Sequence, residues 1–95
     1  MSEYERELGA LRARINAVDE EILTLLGKRF SICADVAEIK AAHDIPVILP
    51  DRIEAVKESR AEFGDHHGLR PDFVRALYET IIDETCKMES GIVDR

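Results

Sequence analysis

The chain has 95 residues, 45% of them hydrophobic, and a formal net charge of −7 at neutral pH. The length allows a single domain over residues 1–95, and the acidity disfavours nucleic acid and anionic membranes as partners, because phosphate binding requires a basic surface. No apolar run approaches the roughly 18 residues that span a bilayer, and the acidic start is unlike a signal peptide, so we expect a cytoplasmic protein.

The first predicted element is a long helix from about Glu3 to Ala42, a stretch without proline. Its apolar residues recur in alternating steps of four and three, the pattern of a helix that packs against other helices. They are Leu11, Ile15, Val18, Ile22, Leu25, Ile32, Val36 and Ile39. Such a helix extends about 60 Å, whereas a compact domain of this size has a radius of gyration of about 13 Å. We therefore expect a second copy to cover the stripe, giving a homodimer.

Arg29 occupies the one position of this series that is not apolar, and the pattern predicts its burial. An unpaired charge in a helical core costs several kcal/mol or more, so we interpret Arg29 as part of a site for a small anion. Lys40 lies on the same face of the helix, because the 11 intervening steps come within about 20° of whole turns. Arg12 is about 25 Å from Arg29 along the axis, but an antiparallel partner helix would bring Arg12 of the partner subunit to this site.

Two further helices follow a connector over residues 43–50, which contains two prolines and is predicted to be extended. Pro50 suits the first turn of a second helix that ends near Gly64, and Pro71 opens a third helix. The inner stripe of the third helix is predicted to consist of Phe73, Val74, Leu77, Tyr78, Ile81, Thr85 and Met88. We expect Gly91 to Arg95 to fray. The predicted class is all-α, with three helices.

Thr85 and Glu89 are four residues apart beside this stripe, so both could face the same interior. Simpler interpretations remain open for most of the polar candidates. Thr85 could donate to the carbonyl of residue 81, and Glu89 could be exposed near the helix end. Arg12 and Arg52 could be surface cations, and Lys40 could stabilise the helix dipole.

Metal and nucleophile chemistry has no sequence signature here. Cys33 and Cys86 are far apart in the chain and lack any Cys-x-x-Cys pattern, so we expect buried, reduced thiols rather than a zinc site or a disulfide framework. The three histidines lie in predicted turns, and we interpret them as solvated. Glycine-rich phosphate loops and metalloprotease motifs do not occur, so we expect neither cofactor nor metal.

Taken together, the residues resemble the all-helical chorismate mutase family, whose members are intertwined dimers of three-helix chains. The resemblance covers about residues 8–89 and rests on Leu11-Arg12, Arg29, Lys40, the Ile-Pro-Val connector, Asp51-Arg52 and Ile81-Ile82. It implies two equivalent sites per dimer. Each would use Arg12 of one subunit and five residues of the other: Arg29, Lys40, Arg52, Thr85 and Glu89. By this likeness the two arginines Arg12 and Arg29 hold the two carboxylates of the substrate, and Lys40 donates to its ether oxygen and a carboxylate.

The sequence departs from the usual family pattern where the substrate ring is recognised. Ile53 stands where ordinary members carry a glutamate that accepts a hydrogen bond from the C4 hydroxyl, and Leu49 stands where aspartate is common. Glu89 replaces the glutamine that many bacterial members place against the ether oxygen, as fungal members do. A carboxylate there repels the developing oxyanion unless it is protonated, which implies pH-dependent activity.

The runs Ile45 to Lys57 and Ile81 to Glu89 are most similar to the 4-amino-4-deoxychorismate mutases of antibiotic pathways. The resemblance therefore implies an isomerase that converts 4-amino-4-deoxychorismate to 4-amino-4-deoxyprephenate by a Claisen rearrangement. Loss of the glutamate is compatible with an amino group at C4, although Ile53 offers that group no partner. The alternatives are chorismate mutase, isochorismate pyruvate lyase and a helical dimer that serves as a scaffold without catalysis.

Overall fold

The computed structural model describes residues 2–95, which form three α-helices. Helix α1 comprises Glu3–Ala42, α2 comprises Pro50–Asp65 and α3 comprises Pro71–Val93. The predicted all-α class, the number of helices and the bounds of α1 are confirmed. None of the helices in this part of the chain combines the length and hydropathy needed to cross a bilayer.

The end of α3 differs from the prediction, because residues that we expected to fray continue the helix to Val93. The Asp94 N–H donates to the Ser90 carbonyl at 2.9 Å, which extends the helical bonding pattern past Gly91. Arg95 then donates from Nε to the Ile92 carbonyl at 3.0 Å and pairs with the carboxylate of Glu38 at 2.5 Å. These contacts satisfy carbonyls that would otherwise face water at the helix end.

Helix α1 ends in a left-handed turn at Asp44, whose φ is 53°. The Ile45 N–H donates to the Lys40 carbonyl at 2.9 Å, and the His43 N–H donates to the Ile39 carbonyl at 3.1 Å. A six-to-one bond around a residue with positive φ is the Schellman pattern of helix termination. This turn, closed by the bond from Ile45 to the Lys40 carbonyl, ends α1 and starts the connector.

The structure divides into two compact units, one ending at Ile32 and the other comprising Cys33–Arg95. The first unit is the N-terminal part of α1. Within it, every residue of what we call the apolar stripe is at least half exposed, so the unit has no core of its own. The apolar stripe consists of Leu11, Ile15, Val18, Ile22, Leu25 and Ile32.

The second unit has a small core where α2 packs against α3. The buried apolar residues are Ala37, Val56, Ala61, Val74 and Ile82. At Gly64 the helices come so close that a Cβ atom would lie 2.7 Å from Val74 Cγ2, which requires glycine there. Arg75 of α3 joins the helices on the surface by donating two hydrogen bonds, of 2.9 and 3.1 Å, to the Glu58 carboxylate of α2.

The buried face of α3 is narrower than predicted. Val74 and Thr85 are buried as expected, but Ile82 is buried in place of Ile81, and Phe73 and Leu77 are exposed. The difference arises because only one side of α3 is covered by other elements of this unit.

Candidate active site

Lys40 and Glu89, two of the predicted site residues, meet in the second unit. Lys40 Nζ, near the C-terminus of α1, lies 2.8 Å from Glu89 Oε1 on α3, and the two side chains are only 13% and 7% exposed. Lys40 Nζ also donates to the Val47 carbonyl of the connector at 3.0 Å. One ammonium group therefore holds the end of α1, the connector and α3 together.

Glu89 is buried rather than exposed near the helix end, and one of its oxygens lacks a hydrogen bond. Oε1 is within ion-pair distance of Lys40, but their relative orientation is not that of a hydrogen bond, and Oε1 has no hydrogen-bond partner among the described residues. Buried polar atoms are nearly always hydrogen-bonded in folded proteins. The Lys40 ammonium, 2.8 Å away, is the ion-pair partner that offsets the burial of this oxygen.

Thr85 lies one helical turn before Glu89 and is also buried. Its hydroxyl donates to the Ile81 carbonyl at 2.7 Å, which is the simpler interpretation of a threonine within a helix. The hydroxyl oxygen retains acceptor capacity after donating its proton.

Cys86 is half-buried beside Thr85. Burial raises the pKa of its thiol above that of an ordinary cysteine, the negative charges of Glu89 and, more weakly, Asp83 raise it further, and Lys40 acts in the opposite direction. The thiol thus lies in the electrostatic environment of the Lys40–Glu89 pair.

The first turn of α2 carries the next two candidates. Pro50 is at the start of the helix, Arg52 is exposed and Ile53 is half-buried. The Ile53 N–H donates to the Leu49 carbonyl at 3.0 Å, so it is committed to the helix. Ile53 therefore contributes an apolar surface and no free hydrogen-bonding group.

The remaining candidates, Arg12 and Arg29, belong to the first unit. Arg12 is exposed and Arg29 is half-buried on α1. The full burial that the stripe predicts for Arg29 depends on a second copy of the chain, and it stays a prediction.

Two groups near the Lys40–Glu89 pair, the Val47 carbonyl and the Cys86 thiol, were not identified from the sequence. The Val47 carbonyl is a main-chain acceptor, and every residue has one, so no residue type marks it. Cys86 was interpreted as an inert apolar residue, although its spacing of three residues from Glu89 could have placed it on the same side of α3. No group of three or more His, Cys, Asp or Glu side chains within residues 2–95 is arranged to hold a metal ion.

A cavity of about 570 Å³ between α2 and α3 includes none of the predicted site residues. Its lining is mainly apolar, with Phe63, Leu69 and Leu77, and Arg60 lies with its guanidinium carbon 6.0 Å from the ring centre of Tyr78. The cavity belongs to an uncovered face of the two helices, away from Lys40 and Glu89.

The family model of chorismate mutase type II matches residues 11–90, which include every predicted site residue. The chain belongs to this family. The resemblance drawn from the residues alone is thereby confirmed.

Two curated relatives in this family are named 4-amino-4-deoxychorismate mutase. The protein from Streptomyces pristinaespiralis is 43% identical over 82 residues, covering 86% of this chain and 64% of that protein. The protein from Streptomyces venezuelae is 33% identical over 91 residues, covering 96% of this chain and 88% of that protein. The T-protein of Enterobacter agglomerans is 32% identical over 84 residues, which cover 88% of this chain but 22% of the T-protein. The chain thus spans slightly less than two thirds of the first relative.

Proposed function

We propose that the protein is an isomerase that converts 4-amino-4-deoxychorismate to 4-amino-4-deoxyprephenate by a 3,3-sigmatropic rearrangement. The observation that carries the proposal is the ion pair between Lys40 and the buried Glu89, shielded from solvent, in a chain of the chorismate mutase type II family. The relatives named for this reaction supply the choice of substrate.

The reaction breaks the C–O ether bond as a C–C bond forms, and negative charge develops on the ether oxygen. A cation held in place before the reaction stabilises that charge without reorganisation cost. Lys40 has three N–H donors, of which one bonds the Val47 carbonyl, so donors remain for substrate while the ammonium is paired with Glu89. Lys40 is therefore the residue to which we assign stabilisation of the transition state.

The remaining barrier is conformational, since the enolpyruvyl arm must be held over the ring. Bidentate pairing of arginines with the two carboxylates would fix this geometry, and orientation alone can replace several kcal/mol of activation free energy. We assign this role to Arg29 and to Arg12 of the partner subunit, with Arg52 and Thr85 completing the site. The assignment requires a homodimer of the 95-residue helical chain in which each active site contains residues from both subunits. The exposed apolar stripe supports that assembly.

The choice of substrate depends on the ring-binding residues. Ile53 offers no acceptor for a C4 hydroxyl, and loss of such a partner penalises the hydroxylated substrate. An amino group at C4 carries positive charge, which a site containing the buried carboxylate of Glu89 tolerates. Chorismate mutase activity is the second candidate, because the matching family model is named for it.

The deciding experiment compares 4-amino-4-deoxychorismate, chorismate and isochorismate as substrates of the purified protein, with products separated by chromatography. We expect the amino compound to be converted fastest at neutral pH. Faster conversion of chorismate would replace the proposal by the second candidate. Conversion of none would leave the scaffold interpretation.

A further inference from the structure

The connector binds Lys40 at both its main chain and its side chain. The Ile45 N–H donates to the Lys40 carbonyl at 2.9 Å, and Lys40 Nζ donates to the Val47 carbonyl at 3.0 Å. Between these two contacts lies Pro46, whose ring fixes its backbone φ angle. The two hydrogen bonds thus close a ring of chain from Lys40 to Val47, and the Lys40 side chain is part of that ring.

The hydrogen bond to Val47 gives the ammonium a direction that the ion pair does not. Lys40 Nζ lies 2.8 Å from Glu89 Oε1, but the orientation of the two groups is not that of a hydrogen bond. Attraction between charges depends on distance, whereas a hydrogen bond also depends on angle. Because a lysine has a long flexible stem, a charged partner alone leaves its ammonium several orientations. The Val47 carbonyl selects among them.

We propose that the main-chain carbonyl of Val47 is a positioning group, which orients the Lys40 ammonium so that its remaining N–H donors point to the ether oxygen of the substrate. This inference rests on the proposed function, because it takes Lys40 as the residue that stabilises the transition state. A donor stabilises developing charge without reorganisation cost only when it is held in place beforehand. The conformation of the connector therefore sets the rate of the chemical step rather than the affinity for substrate.

The experiment weakens this one acceptor and leaves every side chain in place. Replacing Ile48 by its α-hydroxy acid converts the peptide bond after Val47 to an ester, whose carbonyl is a weaker acceptor than that of an amide. The Ile48 N–H that is lost donates to no main-chain group among residues 2–95, and Ile48 is 60% exposed. The matched control is the same replacement at Leu49. It weakens the Ile48 carbonyl, which accepts no main-chain hydrogen bond in the same range.

We expect the ester after Val47 to lower kcat about three- to tenfold, the usual effect of weakening one hydrogen bond, with KM within about twofold. The control ester after Ile48 should leave both constants within about twofold. In a Lys40→Ala background, the ester after Val47 should change kcat by less than about twofold, because the group that it orients is absent. An equal fall in kcat with and without Lys40 would overturn the inference, as would a raised KM with unchanged kcat.

A measurement that is independent of turnover follows the ammonium itself. NMR of isotope-labelled lysine side chains gives the rate at which ammonium protons exchange with water, and Lys87, whose side chain is 77% exposed, is the internal reference. We expect exchange at Lys40 to be slower than at Lys87, and to accelerate about three- to tenfold in the ester after Val47 but not in the control ester. If the ester protein does not fold, Pro46→Gly, which frees the chain before Val47, replaces it in both measurements.

Failure of the proposed function is seen separately, as no conversion of 4-amino-4-deoxychorismate, chorismate or isochorismate by the unmodified protein. In that case the exchange rates alone decide whether the Val47 carbonyl positions the Lys40 ammonium. Faster exchange in the ester after Val47 supports the inference, and unchanged exchange refutes it.

Discussion

At the scale of single residues, the Lys40–Glu89 pair is the feature on which stability and the proposed chemistry both depend. Burying two charges carries a desolvation cost, which only good pairing offsets. Replacing such a pair with apolar groups is often neutral for stability, whereas removing one partner is costly. Stability therefore depends on keeping both partners together, while the pair as a whole is not expected to add much net stability, in keeping with the binding role proposed for it.

Lys40→Ala is expected to lower the free energy of unfolding by about 3–5 kcal/mol, because it leaves the buried Glu89 carboxylate without a counter-ion. The same change should reduce turnover by about 100-fold or more, the usual effect of losing a donor to developing negative charge. Urea unfolding and product formation measure the two effects. The matched control is Lys57→Ala: its side chain is 17% exposed, but its partner Glu54 is 68% exposed, so a loss below about 1 kcal/mol is expected. Equal effects of the two changes would remove the special role of Lys40.

Glu89→Gln tests the other half of the pair through the rate with chorismate. If Glu89 faces the ether oxygen, its carboxylate supplies no hydrogen-bond donor to the negative charge that develops there. Glutamine supplies an N–H donor, so the variant should turn over chorismate faster near neutral pH. Initial rates near neutral pH measure this, with Glu54→Gln as the exposed control. A rate that Glu89→Gln leaves unchanged would place Glu89 away from the reacting oxygen.

At the scale of helices, close packing of α2 on α3 depends on Gly64. Gly64→Ala should destabilise the protein by about 1–3 kcal/mol, because the new methyl group would lie too close to Val74 Cγ2. Gly91→Ala, also within a helix but with nothing within 4 Å of its added Cβ, should instead be neutral or stabilising by up to about 1 kcal/mol. Thermal unfolding measures both. Equal stabilisation by the two substitutions would contradict the packing described here.

The Arg75–Glu58 contact between α2 and α3 makes stability depend on pH. Arg75 lowers the pKa of Glu58, chiefly by hydrogen bonding and then by its charge. The stabilisation is therefore present above the pKa that Glu58 has in the unfolded chain, and it is lost as pH falls through the lower folded value. Arg75→Ala should reduce the urea midpoint near neutral pH and have less effect near pH 3. Arg70→Ala, which removes an exposed arginine, is the control. A deficit that stays constant down to pH 3 would show that Arg75 acts through packing instead.

The helices could be predicted because the sequence features that define them are local. Helices α2 and α3 each begin at a proline, and α1 shows regular spacing of its apolar residues. The spacing placed Lys40 and Glu89 beside apolar stripes but left open whether their side chains are buried. The bond from Lys40 to the Val47 carbonyl and the burial of Ile82 could not be predicted. Both depend on how separate parts of the chain pack against each other. At the end of α3, Arg95 contacts Glu38, and a contact between such distant parts of the sequence has no local signal.

At the scale of the whole molecule, the apolar stripe of α1 is exposed and the buried core of the second unit is small. We expect light scattering to give twice the chain mass at micromolar concentration, because dimerisation is the simplest way to cover the stripe. Leu25→Lys should weaken this association, since it places a charge within the stripe, whereas Glu21→Lys changes a residue outside it. A folded wild-type monomer at micromolar concentration would refute the dimer.

Whether each site contains residues from both subunits can be tested by mixing two inactive variants. Arg12→Ala and Arg29→Ala should each be inactive, but mixing and re-dimerising them should restore up to about a quarter of the normal activity. Random pairing makes half of the dimers mixed, and each mixed dimer has one intact site of two. Exchange of subunits is verified by mass tagging. Proven exchange without recovery would place Arg12 outside the site.

The exposed apolar stripe also has a consequence for how the amount of protein relates to the rate of reaction. If the stripe is covered only by a second copy, folding and assembly form one equilibrium, and the folded fraction depends on total concentration. Below the dissociation constant, catalytic output then falls with the square of the chain concentration rather than in proportion to it. In that range, doubling the amount of chain in a cell would raise its activity about fourfold, and halving it would leave about a quarter.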